Sequence, residues 1–316
     1  SDELRRLDNF LSSRLIQFSR TKIQKLILNG SVTVNNKTAK KNLKLSFGDK
    51  IDIDKNSFNL SQIPTTLKKW DYPLEVIYKD NNFAIINKPL GIISHPTINN
   101  RDKTLVNIIL NKFEKELKDH PDPLRPGIVH RLDRDTTGVM IIPFNEHAHW
   151  KIADQFKKRE VQKHYIALTW GEWKKKEGII DDILARSKRN PVKFQSSLKG
   201  KNAKSEFKLL KSGRYFSAIN FYPKTGRTHQ IRVHCSEKGF PIIGDELYGG
   251  GIKKINEYLP EVQKKIKKEI AKNNGHYLHA ARITFKHPET KKKMTFDADP
   301  NEYFSNFLKL IVDNEI

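Results

Sequence analysis

Cysteine and long apolar runs are nearly absent from this sequence of 316 residues. The single cysteine, Cys235, excludes an internal disulfide framework and a zinc site built from cysteines, and it fits a reducing compartment. The longest apolar stretches, such as residues 83–86 and 139–142, are far shorter than the roughly 18 residues that span a membrane. The N-terminal segment SDELRRLDNF is charged and carries no apolar signal-peptide core. We therefore expect a cytoplasmic protein without membrane spans.

Acidic residues are also few. The sequence has 36 Asp and Glu but 59 Lys and Arg, which gives a formal net charge of +23. This excess favours an anionic partner, most commonly nucleic acid, although basic charge also suits membrane surfaces or solubility. The chain is expected to fold, because 17 Phe, 9 Tyr and 4 Trp can fill a core. At about 100 to 200 residues per domain, the length indicates two domains, or one large domain with an appendage.

Residues 1–60 have the pattern of a small module with the order ααββ. Leu7, Leu11 and their apolar neighbours recur at helical spacing, and a second helix is indicated by Ser19 as its N-cap and by Gly30 just after its end. The segment SVTVNN and the residues around FGDKI then alternate like strands.

The stretch from RRLDNFL through SRTKIQKLILNGSVTVNN to FGDKI resembles the S4 RNA-binding domain. The resemblance implies that the two helices contact structured RNA through its phosphates, and it makes Arg20, Lys22 and Lys25 candidate contacts. The alternative is that each of them is one of the solvated charges of a helix surface.

A polar segment, residues 61–73, is predicted to link this module to a second domain at residues 74–316. The second domain alternates short β-rich runs with polar turns, namely LEVIY, FAIIN, GVMIIP, HYIALTW, SAINFYP, HQIRVHC and RITFKH. These runs predict an α+β domain with a large mixed, mainly antiparallel sheet. A basic amphipathic segment at residues 252–272, broken near Pro260, is either an additional RNA-contacting arm or a solvated surface.

The sequence GIVHRLDRDTTGVMII, residues 127–142, carries the strongest indication of chemistry. Its apolar ends predict two buried strands, and between them stands a polar cluster of His130, Arg131, Asp133, Arg134 and Asp135. Strands are rigid frames of the kind that hold reacting side chains. A carboxylate beside arginines stays ionised and can act as nucleophile or base, unless the cluster is a structural ion pair at a sheet corner.

A second candidate segment is YPKTGRTHQIRVH, residues 222–234. Thr225 and Gly226 indicate a turn, Arg227 follows it directly, and Arg232 comes five residues later. Guanidinium groups at the end of a strand suit recognition of phosphate or carboxylate.

Taken in order, six motifs resemble the RluA/RluD family of RNA pseudouridine synthases, particularly the subgroup acting on large-subunit ribosomal RNA. They are NKPLGIISHP, RPGIVHRLDRDTTG, KHYIAL, TGRTHQIRVH, GDELYGG and LHAARITFKHP. The resemblance covers nearly the whole chain and implies a catalytic domain with a central cleft that isomerises specific uridines to pseudouridine. It implies no cofactor and no metal, because the reaction includes no redox step and no group transfer.

The resemblance also implies roles for individual residues. Asp133 matches the catalytic carboxylate, and Tyr165 matches the tyrosine that stacks on the target uracil. Arg227 matches the basic residue that pairs with the catalytic aspartate, and Arg131 matches an arginine that fills the gap left by the flipped base. Arg134 and Arg232 are further predicted RNA contacts.

The chemistry that these roles allow has more than one route. An ionised Asp133 could attack C1′, attack C6 or remove the 2′ hydrogen. Since a stacked base cannot be reached, the uridine must flip out of its helix. The hydroxyl of Tyr165 is a candidate for helping to remove the C5 proton.

Other functions fit this sequence less well. Four nearby arginines argue against a metal site at His130, Asp133, His229 and His234, and a charge of +23 argues against a glycosidase that uses Asp133 and Asp135 as its acid and base. A tRNA-directed enzyme of the same family and a non-catalytic S4-type ribosome-assembly protein are the remaining alternatives. We expect an RNA partner and a monomer, with the modified uridine left open.

Overall fold

The computed structural model describes residues 6–15, 18, 20–46, 48–58, 67–96, 100–118, 120, 126–258 and 260–313. The described residues divide into two units: one drawn from residues 1–71, 95–114 and 120–126, the other from residues 72–94, 115–119 and 127–316. The sequence-derived boundaries at 60 and 73 stay a prediction. Within the described ranges, no helix is long and apolar enough to cross a bilayer.

The helices and strands follow one another in this order: α1 (Leu7–Arg14), α2 (Arg20–Leu28), β1 (Val32–Val34), β2 (Lys37–Thr38), β3 (Ile51–Ile53), α3 (Lys55–Phe58), β4 (Glu75–Lys79), β5 (Phe83–Lys88), α4 (Leu105–Lys112), α5 (Glu114–Leu117), β6 (Thr137–Pro143), α6 (Glu146–Lys158), β7 (Gln162–Trp170), β8 (Glu177–Arg186), β9 (Phe194–Ser196), β10 (Lys201–Ser212), β11 (Phe216–Pro223), α7 (Gln230–Glu237), α8 (Pro260–Asn273), β12 (Leu278–Lys286), β13 (Lys293–Asp297) and α9 (Glu302–Val312).

In the first unit, the predicted pair of helices followed by strands is present. Helices α1 and α2 bury Leu7, Leu11, Ile23 and Ile27 against the small antiparallel sheet β2-β1-β3. Gly30, with a φ of 79°, occupies the left-handed conformation that ends α2, as predicted. The predicted N-cap Ser19 lies outside the described residues.

The second unit is built on one ten-stranded sheet with the order β4-β5-β6-β12-β7-β11-β10-β8-β9, and β13 pairs with β12. Only β6 and β12 pair in parallel among these strands, so the predicted mixed, mainly antiparallel sheet is confirmed. At this parallel pair, Gly138 has a φ of 117°, and a Cβ there would lie 2.3 Å from the Ala280 carbonyl oxygen. Glycine is therefore required at this crossing.

The segment HQIRVHC is a helix, α7, and the prediction of a strand there is wrong. Every residue from Gln230 to Cys235 is buried, so the segment lacks the polar face that would have shown a helical period. The helix begins where the Gln230 side-chain oxygen accepts hydrogen bonds from the Thr225 hydroxyl (2.6 Å) and the Arg227 amide (3.0 Å). The predicted strand before His130 is absent as well, since residues 127–136 are irregular.

The basic segment at residues 252–272 forms a short 3₁₀ helix, Ile252–Glu257, followed by α8. The predicted break near Pro260 is confirmed, because α8 begins at this residue. Ile255, Ile266 and Ile270 are buried in the core of the second unit. Lys264, Lys267 and Lys268 are exposed, and their contact with RNA stays a prediction.

Candidate active site

The segment carrying Asp133 is irregular but is held from behind by buried polar side chains. The Lys88 ammonium, fully buried, donates hydrogen bonds to the carbonyls of Pro89 (2.8 Å), Ile92 (2.7 Å) and Arg134 (3.0 Å). The Ser94 hydroxyl donates to the Leu132 carbonyl at 2.7 Å. The backbone on both sides of Asp133 is therefore fixed, which is what a reacting side chain requires.

His130, the first residue of the HRLD motif, is a structural residue. Its Nε2 accepts a hydrogen bond of 3.0 Å from the Ile141 amide, and its ring stacks on Phe156 with 4.6 Å between centroids. Burial, together with the charge of Lys163, lowers the pKa of His130 to about 3, so the ring is neutral. A nitrogen that already accepts an amide proton is not free to bind a metal.

Asp133 is the acidic side chain at the centre of the site, and its carboxylate is ionised. Burial by itself raises its pKa, but the positive charges of His229, Arg232 and His276 and a hydrogen bond from Arg232 hold the pKa below its usual value. Since burial lowers the pKa of both histidines, to about 4 for His276, the charge that persists at neutral pH is that of Arg232. The Arg232 Nη1 lies 3.0 Å from Asp133 Oδ2, and no described residue hydrogen-bonds to Oδ1.

Arg232 is fixed in turn by Asp245, a residue whose role the sequence did not reveal. Asp245 is 2% exposed and accepts two parallel hydrogen bonds from Arg232, at 2.7 Å from Nε and 2.9 Å from Nη2. The guanidinium also lies over the Tyr248 ring at 4.9 Å from its centroid. A bidentate pair of this kind fixes the plane of the guanidinium, so its remaining amino group points at Asp133. The motif GDELYGG, which contains Asp245, was the feature of the sequence that could have indicated this role.

The pairing predicted for Arg227 is wrong. Arg227 does not pair with Asp133, because its Nε donates to the Asn202 carbonyl at 2.9 Å. Arg232 is 7% exposed and bonded to two carboxylates, and its contact with RNA stays a prediction. The expectation for Arg227 came from its place in the motif TGRTHQ. Because residues 230–237 form a helix, Arg232 is the arginine that faces Asp133.

Tyr165 and Asp133 line one cavity of about 520 Å³ in the second unit. Tyr165 is half-buried on β7, and burial together with the charge of Asp133 raises the pKa of its hydroxyl. The hydroxyl therefore keeps its proton at neutral pH, which disfavours Tyr165 as the base that removes the C5 proton. Its ring remains available as a platform for a base.

The cavity is strongly cationic. Seven of its lining residues are Lys or Arg, namely Arg131, Lys157, Arg159, Lys163, Lys224, Arg227 and Arg232, against the single acid Asp133. Of these, Arg131 is exposed and makes no hydrogen bond or ion pair with a described residue, whereas Lys163 donates to the Thr225 carbonyl at 3.3 Å. This charge suits an anionic chain that delivers one nucleotide to Asp133.

Arg134, the other predicted RNA contact in the second unit, is not among the residues that line the cavity. Arg134 is exposed, donates to the Gly91 carbonyl at 3.3 Å and lies 3.7 Å from Asp135. Lys25 is exposed on α2 of the first unit. The side chains of Arg20 and Lys22 lie outside what the structure describes.

Comparison with known proteins supports the same function. The family model of RNA pseudouridylate synthases matches residues 82–237, and that of the S4 domain matches residues 5–51. The chain resembles the solved structure of human RNA pseudouridylate synthase domain containing 1, with a TM-score of 0.54 and 22% identity over 76% of this chain and 86% of that one. At this identity, the likeness concerns the fold.

Two curated relatives span almost the full length. Ribosomal large subunit pseudouridine synthase D of Borreliella burgdorferi is 37% identical, with 98% of this chain and 93% of the relative aligned. Ribosomal large subunit pseudouridine synthase C of Buchnera aphidicola is 33% identical, with 97% and 94% aligned. A cationic cavity around an ionised aspartate, on the fold of these enzymes and with this degree of identity, leads to one conclusion: the chain belongs to the family of RNA pseudouridine synthases and carries an S4 domain at its N-terminus.

Proposed function

We propose that this enzyme isomerises uridines of large-subunit ribosomal RNA in the cytoplasm, with Asp133 as the reacting carboxylate. The observation that carries the proposal is the buried Arg232–Asp133 pair inside a cationic cavity. The choice of RNA is supported by the two relatives named for the large ribosomal subunit and by the S4 domain. The alternative substrate within the family is tRNA.

The proposed reaction places the target uridine in the cavity after it leaves its helix. Its uracil stacks on the Tyr165 ring, and Arg131 at the exposed mouth fills the vacated position in the RNA. Asp133 then reacts through Oδ1, the oxygen that Arg232 leaves free. Three routes remain open to it: attack at C1′, attack at C6 or removal of the 2′ hydrogen. In each, the N1–C1′ bond breaks, the uracil turns, C5 joins C1′, the C5 proton passes to solvent and N1 gains a proton.

The substrate is tested by release of tritium from RNA labelled at uridine C5. Unmodified large-subunit ribosomal RNA, free and in assembling particles, and unmodified tRNA are offered to the full chain in parallel. We expect release from ribosomal RNA at one or a few uridines and none from tRNA. Release from tRNA alone would contradict the proposed substrate, and tight binding of ribosomal RNA without any release would support the non-catalytic alternative.

The pH dependence of turnover follows from the same site. The surrounding positive charges hold the pKa of Asp133 below its usual value, and burial lowers the pKa of His229, so Asp133 is ionised and His229 is neutral at neutral pH. Burial and the nearby charge of Arg159 lower the pKa of Lys163 to about 8, so this cation is lost above that pH. Burial also lowers the pKa of Lys88, whose ammonium supports the backbone beside Asp133, to about 7. We expect kcat/KM to fall on the alkaline side between about pH 7 and 8, as Lys88 and Lys163 lose their protons, and to fall on the acid side only below neutral pH.

Lys163→Arg provides the matched control, because a guanidinium keeps its charge throughout this range. In this variant the part of the alkaline limb near pH 8 should move upward, while the part near pH 7 and the acid limb stay in place. An acid limb centred at pH 7 in the wild type would contradict the depressed pKa of Asp133.

A further inference from the structure

His229 has a backbone conformation that a residue with a side chain rarely adopts. Its φ of 58° and ψ of 18° lie in the left-handed region, directly before the first residue of α7. Such strain persists only where the surrounding structure imposes it, and it is concentrated at functional sites. The conformation directs the imidazole, whose side chain is 13% exposed, into the cavity that holds Asp133.

The hydrogen bonds around His229 determine which ring nitrogen carries the proton. The Tyr248 hydroxyl accepts a hydrogen bond of 2.9 Å from the Phe194 amide and lies 2.9 Å from His229 Nδ1. Tyr248 is 3% exposed, and the described residues offer its O–H no other acceptor. The hydroxyl therefore donates to Nδ1, and the proton of the neutral ring is on Nε2.

The protonated nitrogen of His229 faces the Asp133 carboxylate but does not form a hydrogen bond with it. His229 Nε2 lies 3.8 Å from Asp133 Oδ2, which is beyond hydrogen-bond distance, whereas Arg232 Nη1 lies 3.0 Å from the same oxygen. No described residue accepts from Nε2–H. The side chain is 13% exposed and lines the cavity, so this donor without a protein partner is available to the substrate.

We propose that Nε2–H of His229 donates a hydrogen bond to the 2′-hydroxyl of the target uridine, and that Tyr248 is the positioning residue that keeps this nitrogen protonated. The inference rests on the proposed function. When Asp133 approaches the ribose at C1′ or at the 2′ hydrogen, the 2′-oxygen lies on the carbon next to C1′, within reach of a donor 3.8 Å from the carboxylate. The ring oxygen of ribose is a much weaker acceptor. This contact would distinguish RNA from DNA at the reacting nucleotide.

The test is a double-mutant cycle in which one change is made in the enzyme and the other in the substrate. Each combination is measured as the single-turnover rate of pseudouridine formation. The substrates are RNA fragments that release tritium with the wild type, carrying either uridine or 2′-deoxyuridine at the position where pseudouridine is mapped. We expect the wild type to lose about tenfold or more on the deoxy substrate. His229→Asn, which tolerates the left-handed backbone but is too short to reach, should lose a similar factor on the ribose substrate and show no further loss on the deoxy substrate.

Two further variants distinguish the proposed contact with the 2′-hydroxyl from a general effect on the structure. Tyr248→Phe keeps the ring against Arg232 and His229 but removes the hydroxyl, so the deoxy penalty should shrink while the melting temperature stays within a few degrees. Arg227→Gln, which lines the cavity elsewhere, should keep the full wild-type penalty. Equal deoxy penalties in the wild type and in His229→Asn would overturn the inference. If the wild type forms pseudouridine in no RNA, the proposed function fails instead.

Discussion

Asp133→Asn is expected to release no tritium from C5-labelled RNA, with a rate lower by about 10⁴-fold or more. The amide has the shape of the carboxylate but can neither attack a carbon atom nor take the 2′ hydrogen. Arg232 keeps its bidentate partner Asp245 in this variant, so the fold should be retained. RNA affinity should be unchanged or slightly higher, because the variant loses a negative charge that faces phosphates.

Asp135→Asn is the matched control, since this carboxylate stands two residues away in the same motif and its side chain is 36% exposed. Its rate should stay within a few-fold of the wild type. Comparable losses in the two variants would show that the motif acts through its overall charge, and residual release by Asp133→Asn at a tenth of the wild-type rate would exclude Asp133 as the reacting group.

Arg232→Lys is expected to lower kcat by about 100-fold, although it conserves the charge. An ammonium group cannot hold two oxygens of Asp245 and still point a donor at Asp133. The loss of hydrogen bonds in a buried site should also lower the free energy of unfolding by about 1 to 3 kcal/mol. Single-turnover tritium release and thermal unfolding measure the two effects separately.

Arg227→Lys distinguishes the observed geometry from the pairing that the sequence predicted. Arg227 is half-buried and bound to the Asn202 carbonyl, so its replacement should weaken RNA binding and leave kcat within about threefold of the wild type. A larger fall in kcat for Arg227→Lys than for Arg232→Lys would reverse the assignment made here.

Much of the sheet was predictable from the sequence, because strands such as β5 and β6 carry short apolar runs bounded by polar turns. The helix α7 was not, because it is buried on every side and alternates by chance like a strand. Strands β8 and β10 were missed for a related reason: their outward faces carry many charges, and only residues such as Leu184, Ala203 and Phe207 are buried.

The candidate site shows the same limit at the level of single residues. Asp133 and Tyr165 could be placed from motifs that surround them, and they do line one cavity. The residues that position the partners of Asp133 could not be predicted in this way, because Asp245 and Tyr248 lie more than 100 residues further along the chain. Their proximity to the site of Asp133 depends on the tertiary packing of α7, which cannot be predicted from a local sequence pattern.

The position of β12 between β6 and β7 has a consequence for how the enzyme is made. Strands β4 to β6 pair only with neighbours along the chain, and strands β7 to β11 pair among themselves, so both groups can form before residues 278–286 are made. Asp133 precedes β6 and Tyr165 lies on β7, and in the described sheet only β12, at Leu278–Lys286, joins the two groups of strands. During synthesis, catalytic competence should therefore arise late and in one step, when residues 278–286 leave the ribosome and insert.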